Sequence, residues 1–96
     1  MSDHYEWRWE YEPDAEHVIV GVPEHIVIEV ERLAGELVAL AEVGVDITDI
    51  GEGPHRGVPG GVRRLPLLAD GWIYALPLPR LRLVAITRVV PPFTDL

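Results

Sequence analysis

The chain has no cysteine, no lysine, one serine, one methionine and one phenylalanine. Without cysteine there are no disulfides, no thiolate metal ligands and no cysteine nucleophile, a composition at home in a reducing cytoplasm. The single serine, Ser2, stands next to the N-terminus, and Thr48, Thr87 and Thr94 belong to no nucleophile motif, which excludes a Ser-His-Asp triad. His4, His17, His25 and His55 show no helical i, i+3 or i, i+4 pairing, so no metal site and no cofactor is expected. No apolar run approaches the roughly 18 to 20 residues of a membrane span, and the opening Met-Ser-Asp-His-Tyr-Glu lacks the positive start and apolar core of a signal peptide. A cytoplasmic protein without membrane contact is the expectation.

What is present fits one domain, residues 1–96, long enough to fold without a staple. The net charge of −8 is unevenly spread. Residues 1–53 hold fourteen acids against Arg8 and Arg32, whereas residues 54–96 hold six arginines against Asp70 and Asp95. A basic second half suits an anion or an acidic partner, while the overall sign weakens long-range attraction to nucleic acid. Mutual neutralisation of the halves is the simpler account of the same charges.

YEWRWEY (residues 5–11) alternates Tyr5, Trp7, Trp9 and Tyr11 with Glu6, Arg8 and Glu10, the period of a strand with rings on one face and charges on the other. The rings are expected in the core rather than stacked on bases, because base stacking on a sheet calls for arginines between exposed rings and only Arg8 is there. Full burial would make Trp7→Ala or Trp9→Ala cost roughly 3 to 5 kcal/mol. A short helical turn follows through Glu16–Val20. A long amphipathic helix then runs from Pro23 to Gly44, with Ile26, Val30, Leu33, Leu37 and Leu40 as its apolar stripe and Val27, Ala34, Val38 and Ala41 alongside.

Residues 49–61, DIGEGPHRGVPGG, read as a loop that satisfies neither the Walker nor the dinucleotide pattern. Its His55 and Arg56 and its backbone amides could face an anion, although most such stretches only connect elements. Val62–Leu68 and Trp72–Leu76 form a hairpin whose Asp70-Gly71 pair supplies the positive φ. A last strand spans Leu81–Val90; Leu83-Val84-Ala85-Ile86 places it at the centre of the sheet or against a partner chain, which leaves a homodimer open.

This order, together with Tyr11-Glu12-Pro13-Asp14-Ala15, Val22-Pro23, Gly57-Val58-Pro59-Gly60-Gly61-Val62-Arg63-Arg64-Leu65, Asp70-Gly71-Trp72-Ile73-Tyr74 and Leu83-Val84-Ala85-Ile86-Thr87-Arg88, resembles the RelE/ParE superfamily of bacterial toxins. The resemblance implies an α+β fold, a small antiparallel sheet (β-α-α-β-β-β) with two helices packed on one face. It also implies the toxin of a type II toxin–antitoxin pair, held silent by a cognate antitoxin. RelE-like members cut messenger RNA on the ribosome without a metal. On that model Arg63, Arg64 and Arg88 are the catalytic candidates, with His55, Arg56, Tyr74, Arg80 and Arg82 binding RNA or a partner. Positioned cations would hold the scissile phosphate during attack by a 2′-hydroxyl. ParE-like members act on gyrase without nuclease chemistry, so a non-catalytic interaction module is the alternative. Three features depart from the RNA-cutting pattern: Ile73 stands where arginine is common, no tyrosine follows the last strand, where Phe93 is the nearest ring, and the chain is acidic.

Overall fold

The computed structural model describes residues 6–93. Tyr5, expected to open the first strand, lies outside the described residues, as do Ser2, His4 and Thr94. Strand β1 spans Arg8–Tyr11, helix α1 Ala15–Val18, helix α2 Glu24–Glu42, strand β2 Arg63–Leu67, strand β3 Gly71–Leu78 and strand β4 Leu83–Val90. The order β-α-α-β-β-β is the one the sequence predicts.

α1 begins one residue earlier and ends two earlier than expected. Asp14 caps it by accepting the His17 amide at 3.0 Å and the His17 ring Nδ1 at 2.7 Å, satisfying an amide that a helix start leaves without a partner. Both contacts hold the Asp14 carboxyl below the usual carboxylate range. Pro23 precedes α2, and Gly44, with φ +93°, follows its end. Its buried line is Ile26, Val30, Ala34, Leu37 and Ala41. Leu33 is only half-buried and Leu40 is 36% exposed, so the expected leucine stripe is displaced toward the alanines. Ala34 and Ala41 share that line with Leu37, while Leu33 and Leu40 flank it.

The sheet corrects the expectation of an antiparallel one. Its strand order is β1-β4-β3-β2, with β2–β3 and β3–β4 antiparallel and β1 parallel to β4, so it is mixed. A parallel neighbour requires a long connection: the two helices carry the chain from β1 to β2 at the far edge, and the β2–β3–β4 meander returns β4 to lie beside β1. β4 is therefore central, as its apolar run suggests: Leu83, Val84, Ala85 and Ile86 are all buried.

The register sorts the two faces. Trp9 and Tyr11 align with Val84 and Ile86, which align in turn with Pro77 and Ala75; this face, with Ile73, Leu65 and Leu67, packs with α1 and α2 into one core. Trp7, Trp9 and Tyr11 thus line the inner face, with Trp9 and Tyr11 edge to face at 5.1 Å between centroids. They are half-buried rather than enclosed. Arg8 and Glu10 point outward and pair with each other at 3.2 Å.

The tight turn also differs from expectation. The positive φ, 56°, belongs to Leu68, while Gly71 opens β3 where a Cβ would lie 2.7 Å from the Val90 carbonyl oxygen and 2.8 Å from that of Leu67. Glycine serves close backbone approach here, not the left-handed bend. β3 continues through Pro77, two residues past its expected end. β2 pairs only as far as Ala75, so Pro77 has a ladder neighbour on one side alone and its missing N–H costs little.

Candidate functional site

Helices cover one face of the sheet, and the other carries a transverse row of polar and aromatic groups. In register across it stand Arg64 on β2, Tyr74 on β3 and Arg88 on β4, and Glu52 extends the row by an isolated bridge to Arg64. One row away, Trp72 is flanked by Pro66 and Val90. Arg64 stacks on Trp72, its Cζ 4.1 Å from the ring centroid, and Arg88 lies 5.6 Å from the centroid of Tyr74. Such contacts orient guanidinium groups while leaving their N–H edges available to an anion. Arg64 Nη2 also donates to Glu52 Oε1, and that hydrogen bond, with a smaller contribution from the Tyr74 hydroxyl, raises the arginine's pKa. Glu52, Gly53, Pro54, Val62, Arg64 and Tyr74 line an open pocket of about 500 Å³.

Glu52 is placed there by the glycine-rich loop and by Arg63. The Glu52 amide donates to the Arg64 carbonyl at 3.0 Å and the Arg64 amide to the Glu52 carbonyl at 2.7 Å. Arg63 has the opposite facing. It points inward, is 3% exposed, and donates to the carbonyls of Ile50 at 2.7 Å, Gly60 at 3.0 Å, and Val58 and Gly51 at 3.3 Å. One guanidinium thereby ties both ends of the loop to β2. A Cβ on Gly53 would collide with Arg63 Nη1, and one on Gly51 would sit 2.5 Å from the Arg64 carbonyl oxygen, so the loop can approach only without side chains there.

The candidates named from sequence divide accordingly. Arg64, Tyr74 and Arg88 come together on the open face. Arg63, expected beside Arg64 as a catalytic group, is instead committed to the loop, because neighbouring strand residues face opposite ways. His55 and Arg56 are exposed in the loop, and Arg56 lines a second pocket of about 600 Å³ with Asp49, Glu52 and Arg63. Arg80 and Arg82 lie at the β3–β4 connection beyond the Leu78–Leu83 pair, roughly 13 Å along the strand from Tyr74. Ile73 is fully buried on the inner face.

Sequence reasoning passed over Trp72 and Glu52. The period-two spacing of Trp72 and Tyr74 was a usable signal for the first; nothing local marks Glu52, whose position depends on a bridge to a residue twelve positions away. Among the described residues no group of three His, Asp or Glu side chains could hold a metal ion, and no helix is long and apolar enough to cross a membrane. Comparisons of the chain with protein-family models, with curated proteins and with solved structures find no match.

Proposed function

We propose that this chain is a toxin-type domain of the RelE/ParE kind that engages single-stranded RNA on its open sheet face and is restrained by an antitoxin. The observation that carries the reading is the row Arg64–Tyr74–Arg88 with Trp72 beside it, two rings interleaved with two arginines on the sheet face opposite the helices. Rings on a sheet accept unstacked bases whatever their identity, and arginines between them neutralise the backbone. If the ligand is cut, Arg64 and Arg88 would stabilise the charge that grows on the phosphate as the 2′-hydroxyl attacks, work done by placed donors without a metal. Tyr74 stands between them in register and carries a hydroxyl.

The test is induction in a bacterial host, with growth followed and new messenger RNA 5′ ends mapped, for the native chain and for Arg64→Ala/Arg88→Ala. Both arginines are on the surface side of the sheet, so the double variant is expected to fold. New ends within coding sequence that disappear in the folded variant support an RNA-cutting toxin. Binding of a short RNA without new ends supports an RNA-binding domain that has lost cleavage. A second reading, a non-catalytic module with a protein target, is favoured by the net charge of −8, which opposes the approach of a polyanion. Growth arrest with neither RNA binding nor new ends selects it.

A further inference from the structure

Glu52 is an unusual neighbour for a phosphate-binding arginine, and its geometry gives it a use of its own. Its main chain is fixed to β2 by two hydrogen bonds, and the loop that carries it is fixed by Arg63. Arg64 occupies one carboxylate oxygen, Oε1. An ionised carboxylate has about four acceptor positions and no donor, so Oε2 and the second lone pair of Oε1 can still accept. The open pocket of about 500 Å³ beside it is lined by Tyr74, Arg64, Pro54 and Val62, residue types with aromatic, planar or apolar groups against which a base can lie. Among the four RNA bases only guanine places two donors, N1–H and the N2 amino group, side by side on its Watson–Crick edge. Cytosine, adenine and uracil each present one donor there beside an acceptor, and an acceptor would meet the carboxylate repulsively.

We infer that this pocket selects a guanine within a single-stranded RNA, with Glu52 accepting from N1–H and the N2 amino group while Tyr74 and Arg64 support the ring. The inference rests on the RNA-binding reading above and adds base identity to it. Arg63 serves as the positioning residue, since it holds the loop that presents Glu52.

Fluorescence anisotropy of uridine hexamers carrying one central G, A or C, or none, tests the assignment on the native chain and on Glu52→Gln. The native chain should favour the G-containing hexamer by roughly tenfold or more, the discrimination of one bidentate base contact. Glutamine keeps the shape but offers one acceptor and one donor, so Glu52→Gln should lose the preference for G. It should bind the all-uridine hexamer at least as well as the native chain, because a negative charge has gone. Equal affinity of the native chain for all four hexamers overturns guanine selection and leaves the RNA reading standing. An unchanged G preference in Glu52→Gln, or an equal loss of affinity for every hexamer with the melting temperature preserved, overturns the role of Glu52. Free 5′-GMP binding as tightly as the hexamer would reassign the pocket to a mononucleotide and overturn selection within RNA. Binding of no hexamer removes both readings together.

Discussion

Replacing Arg63 by methionine removes the charge and the donors while retaining most of the apolar stem. The native guanidinium makes hydrogen bonds of 2.7 and 3.0 Å to Ile50 and Gly60 and two longer ones, 3.3 Å, to Gly51 and Val58. Bonds to a charged group contribute about 1.5 to 3 kcal/mol each, net of the water they replace. The two longer bonds are weaker, and the water the guanidinium gives up on burial is already counted in those net values. The freed carbonyls belong to a loop that water can reach. Counting only the two short bonds at the low end gives a loss of about 3 kcal/mol. For a domain of this length that lowers the melting temperature by roughly 12 to 24 °C. Calorimetry of Arg63→Met against the native chain measures it, with Arg63→Lys as a partial rescue, because one ammonium cannot span carbonyls at both ends of the loop. Amide exchange should localise the effect to Glu52 and Gly60, whose amides bond to Arg64 and Thr48. Arg63→Met melting within about 2 °C of the native chain, a change far smaller than about 3 kcal/mol would cause, would refute the assignment of Arg63 as the loop's anchor. So would a large loss of stability that left those two amides as protected as before.

Gly35 lies inside α2, and a Cβ there would meet nothing within 4 Å, so Gly35→Ala should stabilise the fold by about 0.5 to 1 kcal/mol in urea unfolding. Trp9 is half-buried, so Trp9→Ala should cost about 2 kcal/mol by the same measurement, below the roughly 3 to 5 expected of an enclosed ring. The Tyr11 hydroxyl donates to Glu31 Oε2 at 2.8 Å, and partial burial first, then the carboxylate, raise its pKa above the usual tyrosine value. Its protonated form is favoured in the folded state, so the contribution is whole below pH about 10 and is lost as pH rises beyond it. Stability measured from pH 9 to 11.5 should therefore fall for the native chain and fall less steeply for Tyr11→Phe.

Much of the fold was legible because it rests on local periodicity. The 3.6-residue recurrence from Ile26 to Ala41 and the alternation of Trp7, Trp9 and Tyr11 located α2 and β1, and the unbroken apolar run 83–86 marked β4 as either central or partner-facing, of which the sheet order shows the first. Misread details came from packing across the chain. Ala34 and Ala41 take core positions where Leu33 and Leu40 were expected, and Gly71 proved necessary for its nearness to Val90 and Leu67 rather than for its φ. The parallel pairing of β1 with β4 has no signature in either segment alone. At the site, Arg64, Tyr74 and Arg88 were nominated individually, but Arg63 and Arg64 looked alike until register assigned one to the core face and the other to the open one.

Composition and pattern by themselves determined the absence of disulfides, a strand–helix–helix–strand order, the acidic first half and the basic second, and the residue types available for chemistry. These follow from length, charge and nearest-neighbour spacing, which any conformation of the chain retains. Tertiary structure alone decided that the sheet is mixed, that Arg63 anchors a loop while Arg64 faces outward, and that Glu52, Arg64, Tyr74 and Arg88 form one row. Those outcomes depend on which strands pair and in what register, and pairing between distant segments is set by the packing of the whole core rather than by any one stretch of sequence.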